Sequence, residues 1–361
     1  MRSDRGLALG ALLLATVGGV VGAVGVSVGV GGCSRQTPPG EGVAAAASRN
    51  VNAAPKPQGA TELEKPVEGV GGLSGSRGAA GAGAPAKVPQ TELTWTYSDT
   101  PMGPMNAVVV VPEREPDERF PVLVTFHGTG EARKGPELGA RGWLDDYGMY
   151  RALERLKHPP LVAEDFEGFA EEGRLAKLNA ALAEAPYRGL VIVNSYTPDM
   201  LRGDEPFTKV PPLAKFVVDE LLPRARAETP AIGTPQTTGI DGISLGGRAA
   251  LAVGLRHPEA FAAVGGLQPA FDSENAGLVA ERAVLARQKN PTLNFRLLTS
   301  DGDYFLGATK AISSAMKQAG VPNTLVLVHG PHDYPFNRGP AVYELLIHHD
   351  RVLRGLPPVP P

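Results

Sequence analysis

The chain is 361 residues long, with 35 lysines and arginines against 38 aspartates and glutamates, a formal charge of −3. That balance, with no long basic run, excludes the electrostatic footprint of a nucleic-acid binder. A single cysteine excludes an internal disulfide, and the length admits one large domain or two ordinary ones.

The first residues read as a targeting segment. Arg2 and Arg5 precede an uncharged stretch, residues 6–32, that ends at "VGGCS"; cations followed by an apolar run mark export. Small residues before Cys33, with Val30 upstream, resemble a bacterial lipoprotein cleavage box. That resemblance implies a signal peptide over 1–32, a lipid on Cys33 and a membrane-anchored protein of the cell envelope, exposed outside the cytoplasm. An uncleaved membrane helix over residues 7–32 is the alternative, since the run is long enough to span a bilayer, and simple secretion also stays open. Residues 33–90 are dominated by Pro, Gly, Ala and Ser. Burial there cannot offset the entropy of ordering, so a flexible tether is expected. One folded domain is expected over 91–361.

Within it, "LTWTY" (93–97) and "MNAVVVV" (105–111) predict a first pair of strands around a Pro/Gly turn. "FPVLVTFHG" (120–128) and "GLVIVNS" (189–195) are continuous apolar runs, as strands buried on both faces would be. "QTTGIDG" (236–242), "AFAAVGGLQ" (260–268), "LNFRLLTS" (293–300) and "NTLVLVHG" (323–330) complete the predicted strands. Helical spacing is read over 213–226 behind Pro211 and Pro212, over 247–257 up to Pro258, over 307–320, and over 341–355. Strand and helix alternate without an internal repeat, which predicts a mostly parallel sheet covered on both faces.

The stretch "GIDGISLGGR" (239–248) sets Ser244 between Gly242 and Gly246, after a strand and before a helix. A serine hydroxyl needs a base to attack a carbonyl at neutral pH, and the base needs an orienting acid. Gly-x-Ser-x-Gly answers the geometric need, because the glycines permit a tight turn that raises the serine above the sheet. An acid and then a base should follow, each past a later strand. "LLTSDGDYFL" offers Asp301 and Asp303, and "LVLVHGPHDYPF" offers His329 and His332. Asp303 is preferred because Asp301 could instead cap the turn, and His332 because His329 still belongs to the strand. "FHGTGE" (126–131) would supply an anion-stabilising loop, with the amide of Leu245 as one donor and that of Thr129, or else of Gly128, as the other. His127 is expected to be a structural hydrogen-bonder. No metal and no cofactor are expected: His329 and His332 straddle a strand end and a loop, and His348 and His349 point about 100° apart on a helix. "GAGAP" (81–85) follows no strand and makes no dinucleotide fingerprint.

These residues resemble the putative-esterase branch of the α/β-hydrolase superfamily, which includes S-formylglutathione hydrolases, feruloyl and acetyl-xylan esterases and polyhydroxyalkanoate depolymerases. "GISLGGRAALAVGLRHPEAFAAVGGLQPAFD" (242–272) is similar to its nucleophile turn, helix and next strand. "DYFL" (303–306) is similar to its acid loop and "GPHDY" (330–334) to its base loop. The resemblance implies an α/β-hydrolase fold and hydrolysis of carboxylic esters, small or polymer-derived, through an acyl-enzyme on Ser244. Acyl transfer at the envelope with the same triad, or a silent binding lipoprotein of this fold, are the rival outcomes. Residues 129–188 form an insertion whose acidic stretch 164–185 is expected either to cover Ser244 as a lid or to lie as a solvated helix on the sheet's outer face.

Overall fold

The computed structural model describes residues 87, 89–199 and 207–361; the expected signal segment, Cys33 and nearly all of the tether lie outside them. Each predicted strand forms: β1 (Thr91–Tyr97), β2 (Met105–Val111), β3 (Val122–Phe126), β4 (Val191–Ser195), β5 (Thr238–Gly242), β6 (Ala263–Leu267), β7 (Asn294–Gly302) and β8 (Thr324–Pro331). From β3 to β6 every strand position is buried, which is why those segments read as unbroken apolar runs rather than alternating ones.

The sheet runs in the order β1-β2-β4-β3-β5-β6-β7-β8. Strand β2 runs antiparallel to both its neighbours, β1 and β4; β4, β3, β5, β6, β7 and β8 are parallel in turn. Parallel strands need crossovers, and helices supply them. The insertion after β3 holds α1 (Thr129–Ala132), α2 (Gly135–Gly139), α3 (Gly142–Asp145), α4 (Met149–Leu156) and α5 (Glu172–Glu184). Then come α6 (Pro211–Phe216), running through a π-helical turn into α7 (Leu222–Glu228), α8 (Leu245–Arg256), α9 (Ala276–Lys289), α10 (Leu306–Gln318), α11 (Tyr334–Phe336) and α12 (Val342–Leu353).

Helices α8 and α12 cover opposite faces of the central strands. A side chain added at Gly266 of β6 would meet Leu251 of α8, whereas one at Gly239 of β5 would meet His349 and Leu353 of α12. Phe126, Val264 and Leu267 on the sheet and Leu251 and Leu346 on the helices are buried in the resulting core. A second kind of tie runs under the sheet. Asp241, fully buried, accepts from Arg296 of β7 at 3.1 Å and lies 2.9 Å from Nε2 of His349.

The stretch 164–185 is not one helix. Glu167 and Gly168 take left-handed backbone angles, φ 54° and 85°, and the α-helix starts only at Glu172. Its side chains reach α12: Arg174 donates to both carboxylate oxygens of Glu344 at 2.6 and 2.7 Å, and Arg351 donates to the carbonyl of Ala181 at 2.8 Å. Among the described residues no helix is long and apolar enough to cross a membrane.

Candidate active site

Register decides which loops meet. Phe126 at the end of β3 pairs with Gly242 at the end of β5, so the loops beginning at His127 and Ile243 leave the same edge side by side. Gly302 of β7 likewise pairs with Pro331 of β8. All four chain segments therefore emerge at the carboxyl edge of the parallel strands, where open α/β sheets form their binding crevices.

Ser244 sits on the turn between β5 and α8 with φ 57° and ψ −119°, a left-handed backbone rare for a residue with a side chain and costing about 1–3 kcal/mol. The surroundings hold it there. Its amide donates to the Leu267 carbonyl at 2.9 Å, and its carbonyl accepts from the amides of Arg248 and Ala270, each at 3.0 Å. The flanking glycines are required by close approach: a Cβ on Gly242 would lie 2.5 Å from the Gly246 backbone, and one on Gly246 would lie 2.3 Å from the Phe126 carbonyl oxygen.

Across the edge, His332 Nδ1 lies 2.8 Å from Asp303 Oδ1. The carboxylate is fixed twice more, accepting from Thr299 Oγ1 at 2.7 Å and from the Phe305 amide at 3.0 Å. Tyr304 and Phe305 pack their rings on the imidazole, with centroids 4.2 and 5.5 Å away. The alternative pair forms too. His329 Nδ1 lies 2.8 Å from Asp301 Oδ2, but both side chains are more than half exposed, and the Asp301 hydrogen bond holds the His329 ring above the usual imidazole range. Gln268, which sequence reasoning missed, secures the base loop: its Nε2 donates to Ser300 Oγ at 2.7 Å and to the Pro331 carbonyl at 2.9 Å.

The loop after β3 comes close to the serine, since a Cβ on Gly128 would lie 3.7 Å from Ser244 Cβ. The three candidate amides, two on this loop and that of Leu245 at the start of α8, differ in what they do. The Gly128 amide donates to Tyr147 Oη at 3.1 Å, so its hydrogen is already engaged. Thr129 and Leu245 each open a helix, where amides have no intrahelical acceptor. His127 is buried, with Nδ1–H donating to the Gly128 carbonyl and Nε2 accepting from the Thr197 amide, both at 2.9 Å. Burial lowers its pKa to about 4, so the ring is a neutral scaffold element.

A cleft of about 380 Å³ opens on Ser244, lined also by Thr129, Leu245, Arg248, Ala270, Asp272, Tyr304 and Phe305. Tyr304 and Phe305 thus join the serine's cleft to the His332 ring. Ser244 Oγ itself makes no hydrogen bond to the ring among the described residues. No residue of 164–185 lines this cleft; α5 is bound to α12 instead, and Phe169 packs beside His329 and Phe336. A larger hollow, about 680 Å³, lies against α8 and α9 and shares no lining residue with the Ser244 cleft. Among the described residues no group of three or more His, Cys, Asp or Glu side chains could hold a metal ion.

Residues 203–303 match the model of a family described as putative esterase. No curated protein matches the sequence. Among solved structures, the chain is similar to a ferulic acid esterase at 18% identity, over 73% of this chain and 99% of that one, with a TM-score of 0.56. It is similar to the S-formylglutathione hydrolase of Staphylococcus aureus at 12% identity, over 73% and 100%, with a TM-score of 0.52. The feruloyl esterase module from Clostridium thermocellum matches at 14% identity, over 72% and 88%, with a TM-score of 0.51. Identities this low speak for architecture alone, and together with the strand order and the helices on both faces they make this chain an α/β-hydrolase fold.

Proposed function

We propose that the protein is a serine hydrolase of carboxylic esters, with Ser244 as nucleophile, His332 as base and Asp303 as the acid that orients it. The observation that carries this reading is a strained serine on a strand–helix turn in a cleft walled by Tyr304 and Phe305, the two rings packed on an imidazole that a buried carboxylate holds. The matched family's description and the architecture shared with esterases support it.

In this reading His332 donates Nδ1–H to Asp303, which leaves Nε2 free to take the Ser244 proton as Oγ attacks the ester carbonyl. The developing oxyanion is held by the Thr129 and Leu245 amides. The bond to the alcohol oxygen then breaks, and Nε2 returns its proton to that oxygen. Water follows the same path: it loses a proton to Nε2, attacks the acyl carbon and releases the acid and a restored serine. The Ser244–His332 hydrogen bond forms when the ester fills the cleft, as catalytic contacts commonly tighten only with substrate bound.

From the sequence alone, we further propose that the domain is exported and tethered through a lipid on Cys33. Turnover of p-nitrophenyl acetate by the wild type, abolished in Ser244→Ala with the fold intact, is the expected result; full activity in Ser244→Ala would refute the assignment.

A further inference from the structure

We propose that Glu131 and Tyr334 form a latch between the oxyanion loop and the base loop, and act as positioning residues for the reaction proposed above, on which this inference rests. Glu131 is 1% exposed and lies two residues beyond Thr129. Tyr334 lies two residues beyond His332. Both oxygens of the carboxylate are taken by phenols. Tyr147 Oη donates to Oε2 and Tyr334 Oη donates to Oε1, the latter at 2.7 Å. Tyr147 in turn accepts the Gly128 amide, so one carboxylate grips the oxyanion loop through Tyr147 and the base loop through Tyr334.

Burying a carboxylate is costly, and hydrogen bonds to an ionised acceptor are shorter and stronger than neutral ones. Here the charge ties together two loops 203 residues apart in sequence. Tyr334 is 40% exposed, so the core does not trap its hydroxyl; Glu131 sets where it goes. The oxyanion loop makes room for it. A Cβ on Gly130 would lie 2.4 Å from Tyr334 Oη. The latch is also close to the chemistry, since the point 3.7 Å from Ser244 Cβ where Gly128 would carry a Cβ is 3.6 Å from Glu131 Oε2. Releasing it lets the donor at Thr129 drift relative to His332, and misplacement by about 1 Å costs up to a hundredfold in rate.

The test compares Tyr334→Phe, Gly130→Ala, the double variant and Glu131→Gln in p-nitrophenyl acetate hydrolysis by the full chain. Tyr334→Phe should lower kcat by about tenfold to a hundredfold with KM within about twofold, while the lost hydrogen bond lowers the melting temperature by only a few degrees and leaves the protein folded at the assay temperature. Gly130→Ala should do the same by displacing the hydroxyl, and should add nothing in the Tyr334→Phe background, where there is no hydroxyl to displace. Should Glu131→Gln fail to fold, the Gly130–Tyr334 pair still decides. A Tyr334→Phe enzyme with wild-type kcat, or two losses that simply multiply, overturns the latch and leaves the triad standing. Turnover that is absent in the wild type, or that survives Ser244→Ala, overturns the triad and the latch with it.

Discussion

Asp303 Oδ1 lies 2.8 Å from His332 Nδ1, with the carboxylate side chain wholly buried and the imidazole one-tenth exposed. Two residues earlier, at the end of β7, Asp301 makes a pair of equal length with His329 in solvent. The two pairs should differ sharply in consequence. Asp303→Asn removes the acceptor that selects the reactive tautomer and is expected to lower kcat by roughly 10⁴. Asp301→Asn is expected to leave kcat within about twofold, since exposed ion pairs contribute little. Steady-state kinetics on both variants checks the contrast, and equal losses would mean that the acid has been assigned to the wrong residue.

The two proposed oxyanion donors can be separated by removing one amide. Thr129 is the first residue of α1 and follows Gly128, whose ψ of −176° is extended. Proline is tolerated at that position and after an extended residue. Thr129→Pro should therefore fold normally yet lose about 3 kcal/mol of transition-state stabilisation, or 10²–10³ in kcat. An unimpaired Thr129→Pro enzyme would show that the second donor lies elsewhere.

Asp241 makes a different prediction, on stability. Its carboxylate lies three residues before Ser244 and offsets the buried guanidinium of Arg296 while pairing with His349. Asp241→Ala leaves that buried cation with only the more distant Glu344 carboxylate, 3.9 Å away, and is expected to cost about 3 kcal/mol. Urea denaturation measures it; a loss below about 1 kcal/mol would mean that Arg296 finds another partner.

Stability should also fall in mild acid, and His127 gives the window. Its folded pKa is lowered to about 4 by burial, against about 6.5 in the unfolded chain. Above pH 6.5 the ring is neutral in both states. Between 6.5 and 4 the unfolded chain binds a proton that the folded one does not, so stability declines as pH falls, by roughly 3 kcal/mol from this residue in all. Below 4 it contributes no further loss. His348 and His349 are buried in α12, and desolvation holds both below the usual range, so their loss has the same sign. Denaturation midpoints from pH 7 to 4 should show this slope, shallower in His127→Gln; an identical slope would remove His127 from the account.

The fold was legible where burial was total, because strands covered on both faces leave unbroken apolar runs, as in "VLVTF" and "VIVNS". Helix α9 was not. Its buried face is Ala276, Val279, Ala280, Ala283 and Ala286, a stripe of small residues that carries almost no contrast in hydrophobicity. Candidate residues were legible as types at strand exits, since Gly-x-Ser-x-Gly and the later acid and base follow chain order. What was hidden is everything held by long-range polar pairing. No local signal ties Glu131 to Tyr334, or α5 to α12 through Arg174 and Glu344, and the acidic stretch 164–185 looked equally able to cover the cleft or the sheet's flank. Tyr304 and Phe305 stood in plain view beside Asp303, but only the fold shows their rings against His332.

The account stands on Ser244 being a reactive nucleophile served by His332. Labelling the intact protein with a fluorophosphonate and locating the adduct by peptide mass spectrometry tests this most directly. One adduct on Ser244 is predicted, with labelling lost in Ser244→Ala and slowed at least about a thousandfold in His332→Ala. An adduct on another residue, or an unlabelled protein that still hydrolyses esters, would contradict it.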